Sequence, residues 1–325
     1  MKEAHTSPAQ IHHALNAKDD EVVAALRAQT AAVKGSLDGP HARGLFDEVM
    51  GHTPAAADVI YEAGEVGGVQ GFWCRPHEAR PGVVLLHLHG GAYVLGSANA
   101  YRHFVGQLAA RANAAAFIPD YRLAPEHPFP AAIDDATAVY RGLVAQGARH
   151  IVIVGDSAGG GLALVLVSVV QAEAAAGRGL APSAAVVMSP WADLALTGPS
   201  LVDHAEDDPL ITRAMLATAA ASYLGTHDPR DPLASPLYGR LAGLPPIQLH
   251  VGTREVLLDD ALRYAERARA EGVDAVAHVW AGMPHVFPAS IGSLDAAERA
   301  LAIIAGFIAD QLGLSPARSL ESRSS

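Results

Sequence analysis

Short runs of aliphatic and β-branched residues alternate along this chain with longer segments of helical character. Eight runs are typical of strands and cover residues 58–63, 69–75, 83–89, 115–122, 150–155, 184–190, 247–252 and 276–282. Between the later runs lie alanine-rich segments of helix-forming residues, such as 131–146 and 259–271. Strands that alternate with helices predict βαβ crossovers. We therefore predict an α/β fold with a mostly parallel, eight-stranded sheet flanked by helices.

The first two runs differ from the rest because only a glycine-rich turn, GEVGG at 64–68, separates them. A connection this short cannot hold a crossover helix, so the two strands must run in opposite directions. We expect an antiparallel hairpin at one edge of the sheet.

Two segments interrupt the alternation. Residues 9–35 have a helical pattern but precede the first strand, and residues 191–225 separate two strands with a long, mixed segment. We expect residues 1–45 and the insertion 191–225 to form a helical cap over a core made of 46–190 and 226–313. Residues 314–325 have few apolar anchors, which predicts a disordered tail.

Composition narrows the possible partners and location. Half of the residues are hydrophobic, 18% are charged, and the net charge is −11, so the chain offers no basic patch for nucleic acid or an anionic membrane. Cys74 is the single cysteine, which excludes an internal disulfide. We find no apolar run long enough to span a bilayer and no signal-like start, and we expect a cytoplasmic protein that acts on a neutral or apolar small molecule.

A serine between glycines follows the strand at 150–155. Gly155-Asp156-Ser157-Ala158-Gly159 fits the pattern G-x-S-x-G, in which a sharp strand-to-helix turn exposes the serine hydroxyl. The apolar strand before it and the helix-forming segment after it supply the context that this short pattern needs. We predict that Ser157 is a nucleophile.

A nucleophilic serine needs a general base and an acid that orients the base. In chains of this architecture the order is serine, acid, histidine, each after a strand. His285, in the GMPHVF loop after the last strand, is the best candidate for the base. Glu255 lies just past strand 247–252 and is the preferred acid, with Asp259 as the alternative; Asp259 and Asp260 fall where a helix begins and would cap it.

A second glycine-containing loop, His89-Gly90-Gly91-Ala92, follows the strand at 83–89. Backbone amides in such a loop can approach a negatively charged oxygen closely, because no large side chain is in the way. We predict an oxyanion hole formed by the amides of Gly90, Gly91 and Ala92 together with that of Ala158, the residue after the nucleophile.

At these motifs the sequence resembles the bacterial hormone-sensitive-lipase family of carboxylesterases, within the α/β-hydrolase superfamily. The resemblance covers nearly the whole chain in five blocks: HGGAYVLGS, PDYRLAPEHPFPAAIDD, GDSAGGGLA, SPWADL and GMPHVF. It implies hydrolysis of esters with short- to medium-chain acyl groups, a helical cap, no cofactor, and a possible homodimer. Ala92 stands where the family usually has a third glycine, and Glu255 where aspartate is more common.

Residues next to the motifs have less specific interpretations. We expect some to line the substrate pocket, although aromatic and methionine residues are as often core: Tyr93, Trp191, Met283 and Phe287. Others match family blocks and are expected to form a buried polar network under the HGGA loop: Asp120, Tyr121, Arg122, Asp134 and Asp135. Asp156 is expected to brace the elbow. His87, His250 and His278 lie inside strands and are expected to be packed, not metal ligands.

Two other functions remain open at this point. The same mechanism acts on lactones, amides or acetylated natural products, and specificity would lie in the cap, where the sequence says least. A non-catalytic small-molecule receptor on the same scaffold is the other alternative. The presence of His285 with every other element argues against the receptor.

Overall fold

The computed structural model describes residues 9–313 and is built around one nine-stranded sheet. The strands are β1 (Gln10–His13), β2 (Val59–Val66), β3 (Val69–Pro76), β4 (Val83–Leu88), β5 (Ala115–Pro119), β6 (His150–Asp156), β7 (Ala184–Met188), β8 (Ile247–Gly252) and β9 (Ala275–Trp280). The α-helices are α1 (Ala17–Thr30), α2 (Arg43–Gly51), α3 (Ala98–Ala112), α4 (Ala131–Ala145), α5 (Ser157–Ala175), α6 (Ser200–Asp203), α7 (Arg213–Leu224), α8 (Leu258–Ala270) and α9 (Asp295–Gln311). The tail predicted at 314–325 lies outside the described residues.

The sheet confirms the predicted α/β architecture. Its strand order is β1-β9-β8-β7-β6-β4-β5-β3-β2, with parallel pairing throughout except at β2 and β3. The antiparallel hairpin of β2 and β3 forms one edge, as the short turn predicted. Strands β4, β7 and β8 are buried at every residue, which explains why they read as continuous apolar runs.

A ninth strand, β1, corrects the helical prediction for residues 9–35. Gln10–His13 pairs in parallel with β9, and the His13 ring stacks on Trp280 with 3.8 Å between ring centroids. The helix begins only at Ala17, where the Asn16 side chain accepts a hydrogen bond from the amide of Asp19. Residues 10–13 therefore belong to the sheet and not to a helical cap.

The N-terminal segment and the insertion contact each other. Helix α1 belongs to the first segment, α2 crosses the boundary predicted at residue 45, and α6 and α7 lie within 191–225. Between the two segments, the amide of Gly35 donates to the Leu210 carbonyl at 3.1 Å and Lys34 Nζ to the Ala205 carbonyl at 2.6 Å. The two segments that interrupted the sequence pattern are thus neighbours in space.

Helix α5 passes through the main core. Among the described residues it alone is long and apolar enough to cross a membrane by length and composition, yet most of it is buried inside the fold, as in the core helix of many proteins. It begins at Ser157, directly after β6. Because β4, β6, β7, β8 and β9 are parallel, the loops at their carboxyl ends meet at one edge of the sheet, where α/β proteins place their sites.

Candidate active site

Ser157 occupies a strained turn between β6 and α5. Its φ is +53°, a left-handed conformation that side chains other than glycine rarely adopt. A Cβ on Gly155 would lie 2.3 Å from the Gly159 carbonyl oxygen, and one on Gly159 would lie 2.1 Å from the Leu88 carbonyl oxygen. The two glycines are therefore required for the turn. Ser157 itself is half-buried among fully buried neighbours, so its side chain keeps access to solvent.

The three residues predicted as nucleophile, base and acid lie together. His285, in the loop after β9, has its Nε2 2.9 Å from Ser157 Oγ. Its Nδ1 lies 2.8 Å from Glu255 Oε2, and the imidazole and the carboxylate are 7% and 0% exposed. A hydroxyl, an imidazole and a buried carboxylate thus form one hydrogen-bonded series.

The carboxylate that faces His285 is that of Glu255 and not that of Asp259. Asp259 Oδ2 accepts the amide of Ser200 at 2.6 Å, and Asp260 Oδ2 accepts the amides of Ala192 and Asp193. The expectation that the two aspartates cap their own helix is wrong, because α8 has no side-chain cap and both carboxylates bind the insertion instead.

Neighbouring charges set the protonation of His285. Burial lowers the pKa of its imidazole, but the hydrogen bond and charge of Glu255, with the charges of Asp208 and Asp156, raise it more, and the net pKa lies above the ordinary 6.5. The same carboxylate holds the Nδ1 proton, so Nε2 is the nitrogen that accepts from the serine hydroxyl.

Ser189 is a site residue for which sequence reasoning gave no role. Its hydroxyl donates to Glu255 Oε1 at 2.9 Å and accepts the amide of Val286, next to His285, at 3.0 Å. Gly252 donates its amide to the same Oε1 at 2.6 Å. Ser189 begins the SPWADL block, but its link to the acid becomes visible only when β7 and β8 lie side by side.

The oxyanion loop holds backbone amides in left-handed conformations. Gly91 has a φ of +114° and Ala92 of +55°, and a Cβ on Gly91 would lie 2.3 Å from the Leu95 carbonyl oxygen. Within the described chain the amides of Gly91 and Ala92 donate to no protein acceptor. The amide of Ala158 lies in the first turn of α5, where helices leave amides unsatisfied. These three amides are available to an anionic oxygen.

The amide of Gly90 is not free to bind an oxyanion, in contrast to the prediction. It donates to Asp156 Oδ1 at 3.2 Å and is therefore already occupied. A Cβ at Gly90 would lie 2.3 Å from Asp156 Oδ2, so the glycine is needed for close packing. Asp156 also accepts a hydrogen bond from the Tyr101 hydroxyl and contacts His87, and it braces the elbow against the loop as predicted.

Of the residues predicted to form a polar network under the oxyanion loop, Tyr121 contacts the loop directly. The Tyr121 hydroxyl donates to the His89 carbonyl at 2.7 Å, and the two rings stack with 4.3 Å between centroids. Arg122 makes a bidentate contact with Asp135, which is 8% exposed. Asp134 is exposed and outside this network, contrary to expectation.

The residues predicted to line the substrate pocket are all in the core. Their exposure is 1% or less in each case: Tyr93, Trp191, Met283 and Phe287. The ring of Tyr93 stacks on Tyr223 of α7 with 3.9 Å between centroids, and Phe287 packs on Trp280. Side chains without exposed surface do not face an open pocket, so these four are packing residues in this structure.

The histidines inside strands are buried as predicted: His87, His250 and His278. His250 and His278 stack on each other with 4.7 Å between centroids. Within residues 9–313 no group of three or more histidine, cysteine, aspartate or glutamate side chains could hold a metal ion.

The arrangement has the parts of acyl-transfer chemistry. An imidazole held by a carboxylate can take a proton from a serine hydroxyl as its oxygen attacks a carbonyl. Backbone amides that have no protein acceptor, such as those of Gly91 and Ala92, can stabilise the negative charge that develops on the carbonyl oxygen.

Comparisons with known proteins point the same way. A family model described as alpha/beta hydrolase fold matches residues 85–289. An acetyl-hydrolase of Streptomyces hygroscopicus is 42% identical over 250 residues, covering 76% of this chain and 82% of the relative. An esterase of Acinetobacter venetianus is 37% identical over 269 residues, covering 82% of this chain and 87% of the relative.

A solved structure is similar to this protein over more of the chain than these two relatives. The crystal structure of an esterase from the bacterial hormone-sensitive lipase family superposes with a TM-score of 0.83 at 39% identity, covering 93% of this chain and all of that one. With the family model and the curated relatives, this likeness extends over both the sheet and the site. The chain belongs to the α/β-hydrolase superfamily and, within it, to the bacterial hormone-sensitive-lipase family of carboxylesterases.

Proposed function

We propose that Ser157 is the nucleophile, His285 the general base and Glu255 the acid of a serine carboxylesterase. In the first half-reaction, His285 Nε2 takes the Ser157 proton as Oγ bonds to the ester carbonyl carbon and the C=O π pair moves onto oxygen. The amides of Gly91, Ala92 and Ala158 bind that oxyanion. When the carbonyl reforms, the C–O bond to the alcohol breaks, and the leaving oxygen takes the proton from His285.

In the second half-reaction water replaces the alcohol. His285 accepts a proton from water as its oxygen attacks the acyl carbon, and collapse of the second tetrahedral intermediate returns the proton to Ser157 Oγ. The observation that carries the proposal is the continuous series of contacts, 2.9 Å from serine to imidazole and 2.8 Å from imidazole to carboxylate. A non-catalytic receptor would not need such a series of contacts.

We propose short- to medium-chain acyl groups as the substrates, which the family resemblance supports. The test is hydrolysis of p-nitrophenyl esters from acetyl to palmitoyl by the wild type and by Ser157→Ala. We expect turnover to peak at short or medium chains and to vanish in the variant while the circular dichroism spectrum stays unchanged. Substantial residual turnover in Ser157→Ala would refute the nucleophile.

Acetylated compounds are a second candidate, favoured by one observation. The relative with 42% identity is named an acetyl-hydrolase. Rates on an acetyl ester, a lactone and acetanilide, compared with the ester series, separate this candidate from a general esterase. A kcat/KM for acetyl esters that exceeds the butyryl value by an order of magnitude would favour it.

The proposal has three further parts, concerning the cap, the oligomeric state and the location. We propose that residues 14–45, which follow the sheet strand at 10–13, and the insertion 191–225 form a cap over the site, supported by the contacts between the two segments. The homodimer suggested by the family resemblance is tested by light scattering after size exclusion. A cytoplasmic location suits a chain with one cysteine and is tested by cell fractionation.

A further inference from the structure

The residue after Glu255 is held on both sides by the insertion 191–225. The amide of Val256 donates to Asp208 Oδ2 at 3.0 Å, and its carbonyl accepts the Ser200 hydroxyl at 2.7 Å. All three residues are buried, with exposure of 2% or less. Both backbone polar groups of Val256 are thus bound by side chains of one segment, which fixes the loop that carries the acid.

Asp208 is also a buried charge with no cationic partner among the described residues. Its other oxygen, Oδ1, accepts the amides of Leu210 and Ile211 at 2.9 and 2.8 Å. Three backbone amides therefore solvate a carboxylate that forms no ion pair with an arginine or lysine within residues 9–313. Such a charge acts over a longer distance than an exposed one, because little water screens it.

We propose that Asp208 is a positioning residue of the insertion, which holds the Glu255 loop through Val256 and brings a buried negative charge to the loop that carries the acid. The inference rests on the proposed roles of Glu255 and His285. It gives the insertion a part in the chemistry that is separate from any contact with substrate.

The charge has a measurable consequence. The carboxylates that act on His285 belong to Glu255, Asp208 and Asp156, and each raises the pKa of the imidazole. The neighbouring Arg254 pairs with Asp20, 3.0 Å away. His285 must be neutral to act as a base. Its pKa therefore sets the pH at which kcat/KM falls off on the acid side of the pH profile, which we call the acid limb. Removing the Asp208 charge should lower that pKa and extend activity to lower pH.

The test compares Asp208→Asn with Ser200→Ala. Ser200→Ala removes the hydroxyl that donates to the Val256 carbonyl. Asp208→Asn replaces one acceptor oxygen by an NH2 group, which cannot accept a backbone amide, and it alone removes a charge. We expect the acid limb of kcat/KM for p-nitrophenyl butyrate to move down by about 0.5 pH units or more in Asp208→Asn, with a lower plateau kcat. In Ser200→Ala the limb should stay at the wild-type pH. If Asp208→Asn does not fold, Asp208→Ser carries the same test with a smaller side chain.

Two outcomes overturn the inference. One is an unchanged acid limb in the uncharged variant, which would make Asp208 structural only. The other is an equal shift in Ser200→Ala, which keeps the Asp208 carboxylate and would therefore show that the charge of Asp208 is not the cause. His285→Ala, assayed alongside, separates failure of this inference from failure of the proposed function. If His285→Ala keeps full activity, the proposed function itself is wrong.

Discussion

The Ser189 hydroxyl lies 2.9 Å from Glu255 Oε1 and donates a hydrogen bond to it, so the acid is held at both carboxylate oxygens. We predict that Ser189→Ala lowers kcat about tenfold with little change in KM, since a hydrogen bond to a charged group contributes ~1.5 kcal/mol. Ser168→Ala is the matched control, because that hydroxyl bonds only within α5. Equal activity of both variants would exclude the role of Ser189.

Glu255 and Asp259 are distinguished by their partners. Glu255→Gln should lower kcat/KM by roughly 10²- to 10⁴-fold, because a neutral amide neither fixes the His285 tautomer nor stabilises the imidazolium. Asp259→Asn should keep activity within about threefold, since Asp259 binds the Ser200 amide and not the imidazole. The measurement is kcat/KM of the two purified variants. A larger loss of kcat/KM in Asp259→Asn than in Glu255→Gln would make Asp259 the acid.

The elbow tolerates no side chain at Gly159. Its Cβ would lie 2.1 and 2.2 Å from the carbonyl oxygens of Leu88 and His89. We predict that Gly159→Ala lowers the melting temperature and abolishes esterase activity. Gly306→Ala, in α9 with nothing within 4 Å of the added Cβ, should raise stability by ~0.5 kcal/mol. A Gly159→Ala variant with wild-type melting and activity would contradict the described turn.

Buried histidines should make the protein sensitive to acid. His13 Nε2 lies 2.9 Å from His278 Nδ1, and Gln248 bridges His278 to His250 at 3.3 and 3.0 Å. Burial, reinforced by the neighbouring histidines, lowers the pKa of His278 to about 4 and that of His250 well below 6.5. All three rings lie where β1, β9 and β8 pair.

The sign of the effect follows from linkage. Below pH 6.5 the unfolded chain protonates these imidazoles while the folded chain does not, so the free energy of unfolding falls as pH falls from about 6.5 towards 4. We expect the melting temperature to drop by about 5 °C over that range. His278→Gln should make the melting temperature depend less steeply on pH. A slope as steep as that of the wild type would mean that other groups cause the pH dependence.

Sequence reasoning predicted the spatial arrangement best where the side chains follow strand ends. Ser157 and His285 each follow a strand within a short motif, and parallel strands bring such ends together. It did not identify β1, because four residues, QIHH, have too little apolar pattern and are held by pairing and stacking on Trp280. Nor could it separate the amide of Gly90, which is occupied by a carboxylate 66 residues away, from the free amides beside it.

Contacts between distant segments explain the other differences. Asp260 was expected to cap its own helix, but its carboxylate binds two amides of the insertion. The roles of Ser189 and Asp208 likewise depend on residues far away along the chain. A linear pattern records which residues can do chemistry, whereas it does not record which partner each buried polar group finds.

Covalent labelling with a fluorophosphonate, followed by peptide mapping, tests the central claim most directly. The wild type should take up one label per chain, on Ser157 Oγ, and lose esterase activity in parallel with labelling. Ser157→Ala should remain unlabelled and hydrolyse no ester. A label on any other residue, or a Ser157→Ala variant that still turns over p-nitrophenyl butyrate, would contradict the account.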